Sequence, residues 1–180
     1  MKTSKFQELV KPVLVLFLIT AIVAALLGFV NAKTEPVIAE NTRIAAEQNR
    51  KEVLPGSTSF TELSFSEEEL KEMNITGAFR EDSGLGYVLT SENKGYGGDV
   101  AVTVGLSTEG ELIGVKANVS KETQGVGSRA GERKYLDRFM GLKESADSID
   151  TLSNATYSSR AVKAGVDAAL KAFAKVKEAK

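Results

Sequence analysis

The chain has neither cysteine nor histidine. That removes disulfides, thiolate nucleophiles, Cys/His zinc sites, haem ligation by histidine and any Ser-His-Asp relay. No metal-ligand constellation stands in their place, and no side chain reads as a catalytic acid or base. Ser158 and Ser159 lack both an activating histidine and a nucleophile-elbow pattern, which argues against a hydrolase. A surplus of one charge is also lacking: 23 Lys/Arg face 24 Asp/Glu. With no basic stripe and a pI of about 5.7, nucleic-acid binding has no electrostatic support. Internal repeats and low-complexity linkers are absent too. Chemistry therefore falls to carboxylates, hydroxyls, backbone amides or an imported cofactor that brings its own reactivity.

What is present first is a hydrophobic run. From Pro12 to Val30 the chain carries nineteen residues without a charge, enough at helical rise to cross a hydrocarbon core of about 30 Å. A secretory signal peptide is the competing reading, with Val30, Asn31 and Ala32 as a V-x-A cleavage pattern. The run is longer than the roughly 7–15 residues of a signal h-region, which favours an anchor. Lys2, Lys5 and Lys11 precede it, whereas Glu35 and Glu40 soon follow, so the N-terminus is expected in the cytoplasm of a single-pass protein of the cell membrane. Residues 33–180 then lie outside, with 20 basic and 23 acidic residues. The expected division is 1–11 cytoplasmic, 12–31 transmembrane, 32–56 a stalk helix closed by Pro55 and Gly56, and 57–180 a single globular domain.

Within that domain a capping-box pattern, Ser66 and Glu69, predicts a short helix over 67–73 after the strand-like FTELSF. Beyond Asn74 the texture is β: ITGAFR, YVLTS, DVAVTVGL and ELIGVKANV, separated by glycine-rich turns. Val100, Val102, Val104 and Leu106 alternate, as do Ile113, Val115, Ala117 and Val119, so each strand should bury one face. A glycine-punctuated loop follows, then a short helix whose Tyr135, Leu136, Phe139 and Met140 can face the core. Val162, Val166, Ala169, Leu170, Phe173 and Val176 recur at helical spacing behind Ser158 or Ser159 as N-cap. The fold class expected is α+β: an N-terminal transmembrane helix, then an antiparallel sheet flanked by helices.

The hydroxyl-rich tract DTLSNATYSS before the last helix can cap that helix, or its free N–H groups and helix dipole can hold an anion such as a phosphate. The spacing Asp150, Ser153, Asn154, Ala155, Thr156 resembles the D-x-x-[ST]-G-A-T signature of covalent FMN attachment, with Thr156 on the acceptor position and Asn154 on the glycine. Asn is the side chain best able to take the left-handed backbone that glycine supplies. The resemblance extends along nearly the whole chain, through KGYGGDVAVTVGLSTEGELIGVKANVSKETQGVGSR and YLDRFMGL. It is to the G subunit of Rnf-type ion-translocating electron-transport complexes, with the longer C subunit of the sodium-translocating NADH:quinone reductase more distant. A loop that reads E-T-P-G-L-G in that family is Glu122, Thr123, Gln124, Gly125, Val126 and Gly127 here.

The resemblance implies FMN held to Thr156 by a phosphoester made by a separate flavin transferase. Ser153, Asn154, Ala155 and Ser158 would surround the phosphate. Glu122, Thr123, Gly125 and Val126 would meet the ring, Glu122 and Thr123 as polar atoms at its edge. Tyr96, between glycines, is a further candidate. It also implies membrane and redox subunits of such a complex as partners, and an electron-relay role between reduced ferredoxin and NAD. A stand-alone membrane-anchored flavoprotein and an unmodified structural or assembly protein of the complex are the alternatives.

Overall fold

The computed structural model describes residues 2–179, with side chains from Leu9 to Ala179. The side chains of residues 2–8, within the segment expected in the cytoplasm, lie outside that description. The first element is a single helix, α1 (Lys2–Val53), which runs through residues 12–31 and on through most of 32–56. The helix continues past residue 31 without a break: the Thr34 hydroxyl bonds back to the carbonyls of Val30 and Asn31 at 3.1 and 3.3 Å, and the helix runs on through Pro36 despite the N–H that proline lacks. Contacts divide the chain into two units, residues 1–46 and 47–180. In the first, the apolar side chains from Leu9 through Val30 are all exposed, and the helix is long and apolar enough to cross a membrane.

The second unit is α+β. Its strands are β1 (Phe60–Glu62), β2 (Gly77–Glu81), β3 (Gly86–Lys94), β4 (Asp99–Ser107) and β5 (Leu112–Asn118). They form one antiparallel meander in the order β1-β2-β3-β4-β5. Alternation along β4 places Val100, Val102, Val104 and Leu106 in the core, all buried. On β5 the expected alternation fails at Ile113, which is exposed. Gly105 pairs with Gly114 but Leu106 pairs with Leu112, so Ile113 is the extra residue of a bulge and Leu112 takes the inward place.

Each face of the sheet is covered. On one lies α4 (Thr156–Glu178), which buries Val162, Val166, Ala169, Leu170 and Val176, with Phe173 packed at the edge. Gly165 permits the approach, because a Cβ there would meet Ser91 Oγ at 2.6 Å and Val102 Cβ at 2.7 Å. On the other face Val53 and Leu54 pack with Val88. Helix α2 (Glu67–Met73) carries the expected capping box: Glu69 N–H donates to Ser66 Oγ, and Ser66 N–H to Glu69 Oε2 at 2.8 Å.

Between β5 and α4 the chain makes a 3-10 turn (Gly127–Gly131), helix α3 (Arg133–Leu136) and a second 3-10 turn (Asp137–Phe139). Tyr135, Leu136 and Phe139 are buried as expected, but Met140 is exposed. The chain leaves helical geometry there (φ −59°, ψ 137°), which carries Met140 off the inward face.

Candidate functional site

The segment leading into α4 is held from several sides. Asp167 Oδ1 accepts from Ala146 N–H at 2.6 Å, and the Lys163 ammonium donates to the carbonyls of Asp147 and Ile149. Ala155 N–H donates to the Leu152 carbonyl at 3.1 Å, closing a turn whose third residue, Asn154, stands at φ 66°. That is the left-handed geometry asparagine tolerates best among non-glycine residues. Ala155 (φ −127°, ψ 33°) then becomes the N-cap and Thr156 the first helical residue.

Neither Ser158 nor Ser159 is the N-cap, contrary to expectation, because the turn at Asn154 starts the helix earlier. Both are buried inside its first turn. Ser159 Oγ donates to the Ala155 carbonyl at 2.8 Å and accepts from Leu152 N–H at 3.1 Å, tying the helix to the preceding loop. Beneath it the Tyr135 hydroxyl donates to the Ser159 carbonyl. Burial pushes the Tyr135 phenol up, only partly offset by that bond, so it stays a donor.

The consequence is a helix end with no side-chain cap. The first N–H groups of a helix have no intrahelical acceptor, and they sit at the positive end of its dipole. No hydrogen bond engages the Thr156 hydroxyl among the described residues. An alcohol oxygen thus stands beside a set of free backbone donors, an arrangement suited to a phosphoryl group.

Glu122 joins this helix end to the rest of the site. Its carboxylate is buried; Oε1 accepts from Tyr96 N–H and Gly97 N–H, each at 3.0 Å, and Oε2 from the Ser158 hydroxyl at 2.5 Å. The tip of the β3–β4 hairpin is a small nest of backbone donors filled by this carboxylate. Gly127 allows the approach, since a Cβ there would lie 2.6 Å from Ser158 Oγ and 2.7 Å from Glu122 Oε2. Glu122, expected to offer polar atoms at a ligand's edge, lines the cavity and has each of its oxygens bonded within the protein.

After Glu122 the chain turns tightly. Val126 N–H donates to the Thr123 carbonyl at 3.1 Å, and Gly125 at φ 74° occupies the third position, the type II pattern. This loop, the hairpin tip and the start of α4 enclose a cavity of about 420 Å³, within the range of small-ligand sites. Its wall gathers Tyr96, Thr123, Val126, Asn154, Ala155 and Thr156, together with Glu122 and Ser158. Ser153 and Gly125 do not line it; Ser153 is exposed and Gly125 shapes the turn.

Sequence reasoning missed Tyr157, whose ring lies 6.3 Å from that of Tyr96 at 45°. Tyr96 is 75% exposed, Tyr157 64% and Val126 40%, so apolar surface is displayed at this cavity instead of being packed into the core. The signal for Tyr157 was an aromatic in the first turn of α4 outside the stripe that runs through Val162 and Val166. The chemistry of the wall is therefore divided: free N–H groups and a hydroxyl at the helix end, and two aromatic rings and a valine beside it. A planar ligand carrying a phosphate fits both parts.

Residues 95–171 match a family described as the FMN-binding domain. The matched segment spans the hairpin tip at Gly95, the Glu122–Gly127 loop and most of α4, so the whole cavity wall falls inside it. Over most of its length the chain is also similar to G subunits of ion-translocating oxidoreductase complexes. It is 29% identical over 187 residues to the G subunit of the Na(+)-translocating ferredoxin:NAD(+) oxidoreductase complex of Acetobacterium woodii, covering 89% of each chain. To the G subunit of the ion-translocating oxidoreductase complex of Methanosarcina acetivorans it is 26% identical, over 88% of this chain and 91% of that one. The G subunit of the proton-translocating ferredoxin:NAD(+) oxidoreductase complex of Clostridium ljungdahlii matches at 29% over 48% of this chain and 52% of its own.

Proposed function

We propose that this protein is the electron-relay subunit of a membrane-bound, ion-translocating ferredoxin:NAD oxidoreductase, carrying FMN as a phosphoester on Thr156. The observation that carries the reading is the uncapped start of α4, where Thr156 lines a cavity faced with Tyr96, Val126 and Tyr157. The FMN-binding domain and the similarity to G subunits support it. FMN supplies the redox chemistry, passing electrons singly or in pairs.

The residues have separable tasks. The N–H groups at the start of α4 would hold the phosphate, with Asn154 and Ala155 shaping the approach. Thr123, Val126, Tyr96 and Tyr157 would supply the polar and apolar contacts for the flavin ring. In the attachment step the Thr156 hydroxyl oxygen bonds to the FMN phosphorus of FAD. The pyrophosphate linkage breaks, AMP leaves with the bonding pair, and the hydroxyl proton passes to a base of the flavin transferase, since this chain has no histidine.

The apolar part of α1 anchors the protein as a single span, with Lys2, Lys5 and Lys11 inside and the domain on the outer face. A covalent tether suits that location, because it retains the flavin without depending on its free concentration. The relatives are named for different ions, sodium in one and protons in another.

The test is the intact mass of the full chain coexpressed with a flavin transferase. The wild type should gain one FMN less one water and keep yellow fluorescence in a denaturing gel, while Thr156→Ala should do neither. An unmodified wild type would sink the attachment. Isolation as a lone chain under several mild detergent conditions would count against the complex.

A further inference from the structure

Among the described residues, Glu81 and Glu122 are the buried carboxylates. Glu81 closes the turn at the other end of β3 from the hairpin tip, accepting from Ser83, Leu85 and Thr58. Glu122 is different, because it forms part of the cavity wall. It is 6% exposed and accepts from three donors drawn from two distant segments, Tyr96 and Gly97 on the hairpin tip and Ser158 on α4. No ion pair involves it among the described residues. The neighbouring Lys121 is exposed, where water screens its charge.

An ionised carboxylate only accepts, and each of its three partners has a proton to give. Such dipoles stabilise the charge without cancelling it. As a carboxylate, Glu122 puts negative charge at the wall of the cavity, largely shielded from water, and that charge opposes electrons added to a ring bound beside it. Reduction of a flavin adds electrons to the ring, so this charge disfavours the reduced form. The same three bonds set the spacing between the hairpin tip and the first turn of α4, and hence the cavity's width.

We infer that Glu122 is a positioning residue that also sets potential: its buried charge ties the hairpin tip to Ser158 and lowers the reduction potential of the flavin bound between them. This role rests on the proposed FMN site.

The experiment compares the full chain, coexpressed with a flavin transferase, as wild type, Glu122→Gln and Ser158→Ala. Intact mass reads attachment, and spectroelectrochemical titration of flavin absorbance reads potential. Glutamine keeps an oxygen for Tyr96 and Gly97 and an amide to donate to Ser158, but no charge, so the potential of the loaded chain should shift upward. Ser158→Ala removes one donor from the charge, and the potential should shift downward. A loaded Glu122→Gln chain whose potential is unchanged or lower overturns the inference. Should that variant carry no FMN, Ser158→Ala decides: a downward shift supports the role, and no shift or an upward one overturns it. A wild type without the FMN mass would overturn the attachment and this role with it, whereas loaded chains of equal potential overturn this role alone.

Discussion

Asn154 and Thr156 stand two residues apart, and the left-handed backbone of the first (φ 66°) makes the second the opening residue of α4. The Asn154 side chain is exposed, so its contribution is conformational. Asn154→Gly should keep both the fold and FMN loading. Asn154→Val, which pays the steric cost of the left-handed region, should lose about 1–2 kcal/mol and load poorly. Denaturant unfolding and intact mass check the two effects; a valine variant as stable as wild type would mean that the turn does not depend on this backbone geometry.

Gln124 occupies the second position of the Thr123–Val126 turn, directly before Gly125 at φ 74°. Proline favours that position of a type II turn, and its ring removes freedom chiefly from the unfolded chain. None of the backbone turn bonds uses the Gln124 N–H among the described residues. Gln124→Pro should therefore stabilise the domain by about 0.4–1 kcal/mol, read as a higher urea midpoint at unchanged slope. A lower midpoint would show that the turn requires a backbone angle at this residue that proline cannot adopt.

Periodicity made much of this fold legible. The alternation from Val100 to Leu106 and the stripe from Val162 to Val176 specify a half-buried strand and a helix lying on it, and Ser66 with Glu69 marks the start of α2. Ile113 was misread because a bulge moves one residue out of phase, and a bulge leaves no mark in an apolar alternation. The hydroxyl tract located the start of α4 but not its first residue, since the decisive feature is the conformation of Asn154. Glu122 was hardest to read: its partners Tyr96, Gly97 and Ser158 meet only after the chain has folded, so a buried clamp and an exposed ligand look alike in sequence.

Acid should loosen the domain through Glu81. The Ser83 hydroxyl, with the N–H groups of Leu85 and Thr58 adding to it against burial, holds this carboxyl below its ordinary 4.5. A carboxyl depressed by folding contributes stability that is present above its unfolded value and is lost as pH falls through the folded one. Unfolding free energy should then be level from neutral pH to about 5 and decline below 4.5. Glu81→Gln should be less stable at neutral pH and show a shallower decline. Some decline should persist, because Ser59 and Thr61 depress Asp82 in the same sense.

Tyr157 follows Thr156 directly, and its ring, 64% exposed, lies 6.3 Å from that of Tyr96. Large apolar rings at a cavity mouth gain little from the fold itself, so removing this one should cost under about 0.5 kcal/mol of stability, as for surface substitutions generally. A bound flavin ring would feel the change strongly, since an electron-rich phenol in contact with an excited flavin quenches its emission by electron donation. In Tyr157→Leu, FMN loading should match wild type while fluorescence per bound FMN rises in the folded protein. After denaturation the difference should shrink, because the folded contact is lost and only chance encounters between chain neighbours remain. Equal brightness in the folded state would place the flavin away from Tyr157 and leave Tyr96 and Val126 as the apolar face of its site.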